Sequence, residues 1–193
     1  MKNPSLSRVL VLDLELTCWE GPPPPGMHSE IIQIGVVELD TGDLTLTREG
    51  VFFINPVHST VSPYCTELTG ITPEQLRRFG RNGEDVFRSI YKKFGPSNKA
   101  CFVWGRDGDT INESAFYLPD GKPFEAINLS LQFSILMGTQ KKHGLLEALN
   151  LMGLGFNGRQ HDALIDARNT ARLLAEMMRK IRTVRSATPL FSA

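Results

Sequence analysis

Several features are scarce in this 193-residue chain, and each scarcity closes off a class of protein. There are three cysteines, Cys18, Cys65 and Cys101, too few and too scattered for a disulfide framework or a zinc cluster. They read as reduced thiols in a cytoplasmic protein. Neither sign of charge is in excess: 21 basic residues balance 21 acidic ones, for a formal net charge of zero. That balance argues against an extended basic surface but leaves room for a local basic groove. No apolar run reaches the roughly 20 residues that span a bilayer. The apolar stretch near the N-terminus carries Asp13 and Glu15, so it is no signal-peptide core. Internal repeats are lacking, and low complexity is confined to the four prolines from Pro22 to Pro25. These exclusions leave one domain, 1–193, large enough to bury a sizeable core, with about 186–193 expected as a flexible tail.

The stretch that organises the chain is Val9-Leu10-Val11-Leu12-Asp13-Leu14-Glu15-Leu16-Thr17. Its short, apolar, β-branched composition predicts a buried strand. Side chains on a strand alternate between faces, so Asp13 and Glu15, two apart, project from the same side. Two neighbouring carboxylates at the end of an apolar strand disfavour each other's ionisation, and burial disfavours both. A divalent cation held by oxygen ligands would compensate them. The competing reading is an edge strand with both acids in solvent. Apolar neighbours on both faces favour a central strand.

Downstream, Cys18 to Gly26 with its prolines predicts a stiff surface loop bordering the acids. Glu30–Leu39 predicts a second strand, and Leu44–Thr47 with Val51–Ile54 completes an antiparallel three-stranded meander. The chain then reads as loop until Thr72-Pro73-Glu74, a helix start. That helix ends near Gly80, and a second spans Glu84–Phe94, closed by Gly95-Pro96. Ala100–Trp104 reads as a short buried strand, followed by a helix through Ile111 and Phe116. Ala126–Leu129 reads as an edge strand, with helical residues on to Gly138. A short helix over Gly144–Met152, a glycine-rich loop and a long helix from about His161 to about Thr183 complete the chain. This order predicts an α/β layered fold, a mixed sheet flanked by helices.

The start of the last helix supplies the second part of a site. In His161-Asp162-Ala163-Leu164-Ile165-Asp166 the acid Asp166 adjoins a buried stripe of Leu164, Ile165, Ala167, Ala171 and Leu174. A carboxylate there is costly unless paired. His161, at or before the helix start, can swing over the same place; alone, it would read as a cap or surface residue.

Asp-x-Glu on a first strand, a central Asp, then His-x-x-x-x-Asp on a late helix resembles the DEDDh signature of the DnaQ-like 3′–5′ exonucleases. The stretches LDLELTCWEG, EIIQIGVVELD, FINP, YCTELTGIT and HDALIDARNTARLL are similar to the KapD/Eri-type subgroup, so the resemblance covers nearly the whole chain. It implies an RNase H-like mixed five-stranded sheet. It implies that Asp13, Glu15 and Asp166 hold two Mg2+ ions, replaceable by Mn2+, with Glu15 also catalytic and His161 the general base. Two metals about 3.5–4 Å apart can serve both the attacking and the leaving oxygen of a phosphodiester, and an imidazole of ordinary pKa about 6.5 can take a water's proton. The implied activity releases nucleoside 5′-monophosphates from single-stranded 3′ ends, RNA favoured over DNA. A DNA-directed proofreading or repair exonuclease and a non-catalytic nucleic-acid-binding module are the alternatives.

The central aspartate departs from the subgroup's spacing. After Trp104-Gly105-Arg106, Asp107 stands one position early and Asp109 one late. Asp107 is preferred, because it lies nearer the strand end and leaves Ile111 as the buried residue of the next turn. Substrate contacts are expected at Leu16, Thr17, Trp19, Thr69 and Trp104. Trp19 and Tyr64 could stack on bases or simply pack, and Leu68-Thr69-Gly70 resembles a family loop near the scissile nucleotide.

Overall fold

The computed structural model of the chain describes residues 5–114 and 126–187. A five-stranded sheet runs through it in the order β3-β2-β1-β4-β5. The strands are β1 Ser5–Leu16, β2 Ile31–Asp40, β3 Leu46–Phe53, β4 Lys99–Val103 and β5 Ala126–Asn128. β1 pairs antiparallel with β2 and parallel with β4; β2–β3 is antiparallel and β4–β5 parallel. The helices are α1 Pro63–Thr69, α2 Pro73–Phe79, α3 Gly83–Phe94, α4 Asp107–Glu113, α5 Leu129–Leu136, α6 Leu145–Leu151 and α7 Ala163–Ala187. The expected mixed sheet with β1 central is therefore present. No helix among the described residues is long and apolar enough to cross a membrane.

β1 alternates as its sequence demands. Leu10, Leu12 and Leu14 enter one core with Ile34, Val86, Phe87, Ile90 and Phe94, beneath α3. Val9 and Val11 enter the other with Ala167, Ala171 and Leu174 of α7. Asp13 and Glu15 continue the α7 face, so the strand's acidic end lies where α7 begins. Opposite residues of an antiparallel pair share a face, and Asp13 faces Gly35 while Glu15 faces Gln33. The absent side chain of Gly35 is what lets α7 reach the sheet: a Cβ there would overlap the carbonyl of Ala163. Gln33 Oε1 accepts the Ala163 N–H at 2.9 Å, supplying one of the partners a helix start lacks.

Three sequence expectations are revised. The stretch before Thr72 contains α1, capped by the Ser62 side chain, with Pro63 in its first turn and Gly70 in the left-handed conformation at its end. Its seven residues were too few to show a helical apolar period, although Ser-Pro is a start signal. Leu44–Thr47 and Val51–Ile54 do not form separate runs. β3 passes through Arg48, Glu49 and Gly50, whose polarity reflects an edge strand pairing outward with Glu38 and Arg168. The last helix begins at Ala163 rather than His161: His161 has φ 62, which no right-handed helix admits, and Asp162 Oδ1 caps the N–H groups of Leu164 and Ile165. Phe116, placed in a helix by the sequence, lies outside the described residues. So does the expected tail from 188 onward, while 186 and 187 end α7.

Far from the acidic end, Glu38 of β2 is fully buried yet charged. Arg48 Nη2 lies 2.6 Å and Lys99 Nζ 2.9 Å from Oε2, and Thr47 Oγ1 donates to Oε1 at 2.8 Å. Burial pushes the carboxyl up, but the bonds from Arg48, Lys99 and Thr47 prevail and bring it to about 2. A group depressed in the folded state contributes stability above its unfolded pKa and loses it as pH falls through the folded value. Glu38→Gln is expected to lower the unfolding free energy by about 3 kcal/mol at neutral pH, because the cations lose a buried partner. The difference from wild type should shrink between about pH 4 and pH 2 in chemical denaturation.

Candidate active site

Four carboxylates converge on the end of β1. Asp13 and Glu15 come from the strand, Asp107 from the first turn of α4, and Asp166 from the first turn of α7. The pairing of β1 with β4 stops at Leu12–Val103, which leaves the Leu14 N–H beyond the neighbouring strand. Asp107 Oδ2 accepts it at 3.1 Å, locking the α4 acid to the acidic strand. Asp109 points elsewhere, exposed and paired with Arg106 at 3.0 Å. Of the two aspartates open in the sequence, the structure brings Asp107 to the cluster.

His161 sits at the rim, exposed, its backbone N–H donated to Asp166 Oδ2 at 3.0 Å. One ligand atom each from Glu15, His161 and Asp166 can be chosen so that all lie within 4.8 Å of one another. Asp166 Oδ1 is buried without a hydrogen-bond partner. An ionised oxygen in that position is costly unless a cation meets it.

The electrostatics agree. Burial, then repulsion from Asp107, Asp166 and Glu15, holds the Asp13 carboxyl well above the usual range. Burial with Asp166 and Asp107 pushes Glu15 to about 8, opposed in part by Arg159. Burial lifts Asp107 to about 7 despite the Leu14 N–H, and Asp166 to about 6 despite the His161 N–H. A cluster of hard oxygen donors with an orphaned buried carboxylate oxygen fits divalent cations of the Mg2+ or Mn2+ type.

The residues expected to contact substrate fall around this centre with different roles. Leu16 is half-buried against the α3-side core. Thr17 is fully buried, its hydroxyl accepting from Glu30 N–H at 2.9 Å and donating to the His28 carbonyl. Thr69 is likewise engaged internally, with the Cys65 carbonyl at 2.8 Å and the Ile71 N–H at 3.1 Å. Both hydroxyls are thus spent on backbone groups. Trp19 is half-buried, and Trp104 packs on Phe133 with ring centroids 5.9 Å apart. An open cleft of about 720 Å3 is lined by Glu20, Pro63, Tyr64, Glu67, Leu68 and Arg159. Sequence reasoning missed Gln33, Gly35, Asp162 and Arg159. Only Asp162 carried a signal, as a capping residue just before an apolar-periodic helix.

The exonuclease family model of the RNase T type matches residues 10–174, a span containing every member of this cluster. The chain belongs to that family. Within it the chain falls among the DEDDh, DnaQ-like 3′–5′ exonucleases of the Eri type. ERI1 exoribonuclease 2 of Danio rerio is 31% identical over 89% of this chain and 35% of its own length. The 3′-5′ exoribonuclease 1 of Rattus norvegicus is 28% identical over 88% of this chain and 52% of its own. The chain thus spans between about a third and a half of the length of these relatives. The nuclease domain of 3′hExo, a DEDDh family member bound to rAMP, superposes with a TM-score of 0.80 at 25% identity, covering 91% of this chain and 93% of that one.

Two outcomes follow for the metal-free protein. Acids whose folded pKa is raised hold protons that the unfolded chain has lost, so stability falls as pH rises between the two values. With unfolded carboxyls near 4 and folded values of about 6, 7 and 8 for Asp166, Asp107 and Glu15, the loss should extend from about pH 4 to about pH 8. Melting in EDTA should show this decline, and saturating Mg2+ should flatten it. A rising or level EDTA curve over that range would count against the cluster. In calorimetric titrations with Mn2+, Asp107→Asn should weaken binding and Asp109→Asn should not; equal weakening would return the choice to Asp109.

Proposed function

We propose that this domain hydrolyses phosphodiester bonds one nucleotide at a time from the 3′ end of single-stranded RNA, releasing nucleoside 5′-monophosphates. The observation that carries the proposal is the convergence of Asp13, Glu15, Asp107 and Asp166, drawn from three elements onto one point with His161 at its rim. A binding module without chemistry would gain nothing from so costly an arrangement. Two relatives are named exoribonucleases, and the solved neighbour carries a ribonucleotide, which favours RNA over DNA.

The four carboxylates would hold two divalent ions, with Mg2+ the natural choice for oxygen-only donors. Bound there, they would supply charge to activate a water and to stabilise the departing 3′ oxygen of the penultimate nucleotide. The chain's own residues do the rest. Asp107 and Asp166, fixed by the backbone N–H groups of Leu14 and His161, keep their carboxylates aimed at the site before any ligand arrives. His161, exposed beside Glu15 and Asp166, takes the proton of the attacking water, a role open to an imidazole near neutral pH. The Tyr64–Leu68 cleft next to it gives the terminal nucleotide a place to lie.

His161→Ala should cost about 10²–10⁴-fold in turnover, the usual worth of a positioned general base, while leaving Mn2+ affinity nearly unchanged. Weakened metal binding would make His161 a ligand, and near-normal turnover would leave it a turn residue. For the activity itself, 5′-labelled RNA and DNA oligonucleotides should be compared with and without EDTA. A Mg2+-dependent ladder shortening from the 3′ end, faster on RNA, is expected. Faster trimming of DNA would overturn the substrate assignment, and no trimming of either would overturn the activity.

A further inference from the structure

The loop that delivers His161 is held at both ends and strained in the middle. At its entry, the Asn169 side chain accepts the Asn157 N–H at 3.0 Å and donates to the Asn157 carbonyl at 2.9 Å. At its exit, Asp166 and Asp162 bind the backbone of His161 and of α7's first turn. Between these points Gly158 has φ 95 and His161 has φ 62, a left-handed conformation uncommon for a residue with a side chain. Such a conformation persists only where the surroundings over-determine it. Among the described residues, the side-chain hydrogen bonds from 158–160 to the rest of the protein are those of Arg159.

Arg159 reaches across the cleft to α1. Its Nη2 donates to the carbonyls of Glu67 at 2.7 Å and Leu68 at 3.1 Å. These carbonyls belong to the last turn of α1, where helix carbonyls lack partners and the helix dipole is negative. Gly70, just beyond, leaves the space: a Cβ there would overlap Arg159 Nη1. Glycine is favoured at this point by its φ of 77, and its bare Cα leaves the guanidinium this place. One side chain therefore joins the His161 loop to the helix that forms the far wall of the cleft.

We propose that Arg159 is a positioning residue for the hydrolytic reaction: by clipping the 158–161 loop to the C-terminal end of α1, it holds His161 over the carboxylate cluster. The proposal rests on the exonuclease reading of the site. Arg159 itself touches no reacting atom, so its loss should misplace the base without removing a metal ligand. A misplacement of about 1 Å can cost about 10²-fold in rate.

The test compares wild type, Arg159→Ala and Arg159→Lys on a single-stranded RNA in Mg2+, with amide hydrogen exchange measured on the same proteins. Arg159 is exposed, so both variants should fold. For Arg159→Ala, kcat at saturating Mg2+ should fall about 10- to 100-fold, with KM within about threefold of wild type. Exchange at residues 158–161 should accelerate. Arg159→Lys, able to reach a carbonyl with its ammonium, should recover part of kcat and part of the protection. A kcat within about twofold of wild type for Arg159→Ala overturns the proposal, as does a loss carried by KM, which would make Arg159 a substrate-binding group. Unchanged exchange overturns it as well. A wild-type protein that hydrolyses no RNA would instead overturn the reading of the site, and the exchange rates would still decide whether the clip exists.

Discussion

The burial of four carboxylates together at the end of one strand is the constraint on which the rest of this structure depends. Asp13, Glu15, Asp107 and Asp166 are brought together where burial raises every one of them and repulsion within the cluster adds to it for Asp13, Glu15 and Asp107. Nothing in folding rewards such a cluster, so the surrounding framework must impose it. β1 is central and paired on both sides, α4 starts at the end of β4, and α7 is seated directly on Gly35. Each acid is therefore placed by an element that has its own apolar reason to be where it is. The two cores under α3 and α7 bear the cost of the acidic end.

The opposite end of the sheet treats an acid differently. Glu38, as deeply buried as Glu15, is surrounded by Arg48, Lys99 and Thr47 and stays ionised down to about pH 2. Within one sheet, then, a buried carboxylate is either neutralised by the chain's own cations or left waiting for an outside one. Arg159 is the cation whose charge eases Glu15, yet its guanidinium is spent on the carbonyls of α1. That contrast separates a structural ion pair from a site prepared for metal ions.

Much of this was legible in the residues. The same-face spacing of Asp13 and Glu15 marked the site, and the apolar stripe of the last helix marked Asp166 as an anomaly. The mixed sheet was legible in the meander and the later strand–helix alternation, whereas the lateral order of its strands was not. The choice between Asp107 and Asp109 was legible only as a preference, because both suit the first turn of a helix; the free Leu14 N–H that selects Asp107 depends on where β4 ends. α1 stayed hidden because seven residues carry too little periodicity. Arg159, Gln33 and Gly35 could not be found from local sequence, since their partners lie 92, 130 and 128 positions away. His161 was placed correctly at the edge of the helix, but its left-handed backbone is a tertiary outcome that histidine's intrinsic preferences do not announce.

Acids held partly protonated by burial and by one another must give up protons to a divalent ion that binds them. Titrating Mn2+ into the protein at pH 7 in several buffers of different ionisation enthalpy measures that release directly. With Glu15 lifted to about 8 and Asp13 well above its ordinary range, binding should release on the order of one to two protons per protein. Metal binding with no buffer dependence of the heat, and hence no proton release, would contradict the account.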